Sequence, residues 1–69
     1  MDIPKETRIL IAEREVALLK NSLYNLSIQI RVAEKVDDEQ MKKINVAQMV
    51  KFEKMKDEYE LILKELNEE

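Results

Sequence analysis

The sequence has no cysteine, histidine, glycine or tryptophan, and its only proline is Pro4. Each absence closes off a class of chemistry. Without cysteine there is no disulfide, and without cysteine and histidine there is no zinc site of the usual nitrogen and sulfur ligands. The commonest general base and the most nucleophilic side chain are missing with them. A phosphate-cradling loop needs glycine, so none can form. Ser22 and Ser27 have no base within reach in the sequence pattern and read as small residues that permit close helix packing. Glu13 and Glu15 lack the histidine three residues on that accompanies bundle-type metal carboxylates. The sequence therefore predicts a protein that is not an enzyme and takes no cofactor and no metal.

Other absences bear on location and partners. No apolar run approaches the roughly 18–20 residues of a membrane span, and the charged segment Met1-Asp2-Ile3-Pro4-Lys5-Glu6 has no signal-peptide core. The expectation is a cytoplasmic chain with no membrane contact. Charge of one sign is not blocked either. Fifteen acids and twelve bases, net −3, are interleaved, which argues for solubility and against nonspecific nucleic-acid binding. Lys42, Lys43, Lys51, Lys54 and Lys56 form a basic tract, but Glu53, Asp57 and Glu58 break it up and no aromatic platform accompanies it.

What remains is a composition suited to helices. Charged residues make up 39% of the 69 positions. The lack of glycine and of internal proline removes the usual punctuation of turns and strands. The chain is long enough for one domain, residues 1–69, and at this size a lone core contributes only about 3–5 kcal/mol.

The fold class expected is all-α, an antiparallel two-helix hairpin of coiled-coil character. The first helix should span about residues 3–35, with Asp2 and Pro4 at its start. Val36-Asp37-Asp38-Glu39-Gln40-Met41 reads as the start of a second helix, about 38–67. Asp37 would be the N-cap, Gln40 its capping-box partner, and Val36 and Met41 a hydrophobic staple. Asp38 and Glu39 suit the positive end of the helix dipole. Capping accounts for every residue of this acidic cluster, so a metal site is not needed to explain it. The turn is placed at residues 34–37.

Two apolar stripes define the expected seam. In the first helix Ile9, Ala12, Val16, Leu19, Leu23, Leu26, Ile30 and Ala33 keep alternating steps of three and four, as a and d positions of a heptad do. In the second helix the apolar choice is Met41, Ile44, Gln48, Phe52, Met55, Tyr59, Ile62 and Leu66. It is stretched at Gln48, where local unwinding is expected. Facing residue numbers then sum to 71, which sets Leu19 against Phe52, Ala12 against Tyr59, and the turn centre at 35.5.

The first helix is also apolar on its other side. Leu10, Ala17, Leu18, Tyr24 and Ile28 lie off the seam, and a helix apolar on two sides is buried on two sides. Residues 38–69 carry 15 charges against 10 in residues 4–35, so the second helix should face water. These five residues are the expected oligomer or partner interface. The simplest closure is a homodimer forming a four-helix bundle. The functional expectation is a small oligomeric interaction protein: an adaptor, assembly factor or regulator with a possible protein partner. A nucleic-acid-associated regulator using the lysine tract is one alternative, and a structural segment of a larger assembly is another.

Overall fold

A computed structural model describes residues 2–69 and shows an all-α helical hairpin. Helix α1 spans Lys5–Lys35 and helix α2 spans Glu39–Glu68, and no strand occurs among the described residues. The hairpin measures 50 × 20 × 14 Å. Its radius of gyration is 15.7 Å, against about 11 Å for a compact domain of this length. Two rods of about 45 Å lying side by side account for the difference.

Helix α1 begins later than its first residues suggest. Pro4 is the cap residue rather than the first helical one, and no side chain caps the helix, so Asp2 has no capping role. Helix α1 ends in a Schellman motif. The Asp37 N–H donates to the Glu34 carbonyl at 3.3 Å and the Asp38 N–H to the Ala33 carbonyl at 2.9 Å. These two bonds satisfy carbonyls the helix end would leave free. The motif requires a left-handed residue, and Asp37 supplies it at φ 58°, a conformation aspartate tolerates better than most side chains.

The new helix therefore starts one residue later than the capping box predicted. Asp38, not Asp37, is the N-cap, and its Oδ1 accepts the Met41 N–H at 3.0 Å. Met41 then occupies the position assigned to Gln40, so no reciprocal capping-box bond forms. Asp37 and Lys42 stand where a staple would need two apolar residues. The physical reason is that Asp37 is consumed in ending the first helix and cannot also begin the second.

That shift changes the seam. Ala12, Val16, Leu19, Leu23, Leu26 and Ala33 are buried on α1, with Ile9 and Ile30 half-buried. On α2 the least exposed residues are Lys42, Asn45, Met49, Phe52, Lys56, Tyr59, Leu63 and Leu66. Their steps of three and four alternate without interruption, so the stretch expected at Gln48 is absent. Facing numbers now sum to 75, from Ile9 with Leu66 through Leu23 with Phe52 to Ala33 with Lys42. Contacts outside the seam agree. Lys5 donates to the Glu69 carbonyl at 2.9 Å, Arg8 pairs with Glu69 at 3.5 Å, and Lys42 pairs with Glu34 at 3.3 Å.

Met41, Ile44, Gln48, Met55 and Ile62, assigned to the seam by their sequence pattern, are thus corrected to an exposed flank of α2. Leu19 lies opposite Lys56 instead of Phe52, and Ala12 opposite Leu63 instead of Tyr59. Lys56 can occupy a seam position because its aliphatic stem lies along apolar surface while its ammonium reaches out. Its side chain is 21% exposed and its Nζ sits 3.5 Å from Glu53.

Candidate interaction surface

The seam buries little. Among the described residues the apolar core is six α1 residues and Leu66, and only Ala33 is wholly shielded. Asn45 is buried at 6% exposure, and no buried side-chain nitrogen or oxygen among the described residues lacks a partner. An amide and two lysines occupy seam positions that α2 would otherwise fill with apolar groups, so burial per residue is low.

Much apolar surface lies outside. Of the five residues assigned to an interface, Tyr24 is 71% exposed, Leu10 64% and Leu18 52%, and Ala17 and Ile28 are exposed too. All five lie on α1 away from α2. They do not form one patch. Leu10, Ala17 and Tyr24 recur every seven residues along one edge of the helix. Leu18 shares a different edge with Ile11 and Val32, one residue further round.

That second edge continues onto α2. In an antiparallel hairpin, residues immediately preceding the a positions of both helices lie on the same flat side of the pair. On α2 these are Met41, Gln48, Met55 and Ile62. Arg8, Ile11, Ala12, Tyr59, Ile62 and Leu66 line one groove of about 340 Å³ there. Met55, Glu58, Tyr59 and Ile62 line a second. Gln29, Asp38, Gln40, Met41, Ile44 and Asn45 line a third towards the turn. Three shallow depressions thus run along one flat side of the hairpin, the first two lined mainly by apolar residues and the third mainly by polar ones. Sequence reasoning missed the α2 contribution because it had already spent Met41, Ile44, Met55 and Ile62 on the seam. The unbroken three-four spacing of Met49, Phe52, Lys56, Tyr59, Leu63 and Leu66 was the available signal.

The other candidates are weaker. Lys42 and Lys56 point along the seam and are ion-paired with Glu34 and Glu53, so the lysine tract does not form a continuous basic strip. Ser27 is exposed, not part of the packing, and its hydroxyl donates to the Tyr24 carbonyl at 2.5 Å; Ser22 is half-buried. Among the described residues no group of three or more carboxylates is placed to hold a metal ion. No helix among the described residues is long and apolar enough to cross a membrane. Compared with the known protein families, the curated proteins and the solved structures, the chain finds no match in any of the three.

Proposed function

We propose that this chain is a non-catalytic protein–protein interaction module, an adaptor, assembly factor or regulator, that works as a homo-oligomeric helical bundle. The observation that carries this reading is the apolar surface left uncovered outside the seam, Ile11 and Leu18 of α1 with Met55 and Ile62 of α2 on one flat side, and Leu10 and Tyr24 on a separate edge of α1. Exposed apolar strips of this kind mark contact sites on soluble proteins. The thin core supports the same reading, since small domains with no disulfide or metal gain stability from a partner chain. A dimer is the simplest closed assembly.

Sedimentation velocity at about 10 µM, with circular dichroism on the same sample, tests it. The expected result is a dimer or higher closed oligomer of high helicity. A monomer with undiminished helicity would remove the reason for invoking a partner.

A further inference from the structure

We infer that the second copy docks on one particular flat side of the hairpin, the side carrying Ile11 and Leu18 of α1 and Met41, Ile44, Met55 and Ile62 of α2. This rests on the oligomeric reading above and adds the face.

Charge separates the two flat sides. On one, the positions flanking the seam hold Glu6, Glu13, Glu34, Glu39, Glu53 and Glu60, with Lys20 the only basic residue in those rows. Lys42 and Lys56 reach across to Glu34 and Glu53, which leaves four carboxylates against one lysine. Arg31, Lys43, Asp57 and Lys64 lie further out along this side's margin. Its carboxylates therefore stand at the centre of any contact made there, where a second copy would have to desolvate them. On the other side the corresponding rows hold only Arg8, Glu15 and Glu69 as charges. Arg8 and Glu69 neutralise each other at 3.5 Å. The charged residues next to this side, Lys51, Glu58 and Glu65, lie along its α2 margin. Away from Arg8, Glu15 and Glu69, the centre of this side is uncharged, with Ser22, Gln29 and Gln48 among Met41, Met55 and Ile62. Depletion of charge at the centre is a mark of a protein interface.

Area points to the same occupant. A compact monomer of 8.2 kDa exposes roughly 4,500 Å², whereas this chain exposes 5523 Å². The excess, about 1,000 Å², comes with the elongated shape, and the flat side, 50 × 20 Å in outline, is large enough for the roughly 800 Å² that each partner contributes to a stable interface. A second hairpin laid on the flat side would bury such an area and complete a four-helix bundle. The Leu10–Ala17–Tyr24 edge would stay outside it.

Three single variants of the full chain, Leu18→Glu, Ile62→Glu and Tyr24→Glu, distinguish the faces by equilibrium sedimentation, with helicity recorded alongside. The first two place a charge on the flat side from different helices. The third places it at a more exposed apolar site on the opposite edge. Leu18→Glu and Ile62→Glu should each weaken association on the order of a hundredfold or more, and Tyr24→Glu should leave it within about threefold. If the released chains also lose helicity, the contrast with Tyr24→Glu still identifies the face. Dissociation by Tyr24→Glu, or persistence of the dimer in either flat-side variant, overturns the assignment while leaving the oligomeric reading intact. A monomeric wild type overturns both.

Discussion

Replacing Asn45 by leucine should make the protein more stable, by about 2 kcal/mol. Asn45 is 6% exposed and lies opposite Ile30 in the seam. A leucine there would be almost wholly withdrawn from water, worth about 1.5–3 kcal/mol. Helix propensity adds about 0.5 kcal/mol, because leucine is the better helix former. Some of this is offset by the fit of a slightly larger branched side chain beside Ile30. For a chain of this size each kcal/mol moves the melting temperature by about 4–8 °C, so a rise of about 8–16 °C is expected in a thermal melt followed at 222 nm. Asn45→Asp is the companion experiment. It puts a charge of similar shape in the same place, and should lower stability by about 2 kcal/mol or more. If Asn45 instead faced solvent, as the 71-sum register requires, both changes would stay within about 0.5 kcal/mol. A leucine gain no larger than propensity alone, together with a harmless aspartate, would refute the register and with it the flat-side assignment.

The turn offers further tests. Asp38→Ala removes the side chain that accepts the Met41 N–H and should cost about 1 kcal/mol in chemical denaturation. Asp37→Gly should act in the opposite direction and stabilise by about 0.5–1 kcal/mol, since φ 58° is unstrained for glycine. Glu34→Gln breaks the pair with Lys42, whose side chains are 56% and 37% exposed, and should change stability by less than about 1 kcal/mol, less still at high salt.

The hairpin itself was legible because nothing in the sequence competes with helix. There is no glycine, proline stands only at the edge, and charges are spread at helical spacing. Helix α1 was legible in detail because its a and d positions are all apolar while most neighbours along the seam are polar. Helix α2 was harder for a physical reason. Two of its seam positions are lysines and one is asparagine, so a search for apolar residues slides one place round the helix at Met41, Ile44, Met55 and Ile62. It agrees with the structure only at Phe52, Tyr59 and Leu66. The turn compounded this. Asp37 and Asp38 are both good caps, and only the backbone bonds from residues 37 and 38 to Glu34 and Ala33 show that the first ends one helix and the second begins the next.

The polar residues in the α2 seam and the apolar residues on its flank have a joint consequence. Rotating α2 by about one residue would exchange Lys42, Asn45 and Lys56 for Met41, Ile44 and Met55 against α1, and an isolated hairpin would then bury more apolar surface. The observed arrangement keeps that surface on the flat side beside Ile11 and Leu18. A second hairpin on the flat side would bury the displaced residues, while the seam lysines stay paired with Glu34 and Glu53 on the opposite side. Folding and association are then linked by mass action. On this argument the melting temperature should rise with protein concentration, and Lys56→Leu, which strengthens only the seam, should raise the melting temperature measured at low concentration. A melting temperature constant over a hundredfold dilution would mean that the hairpin is stabilised by its own seam alone.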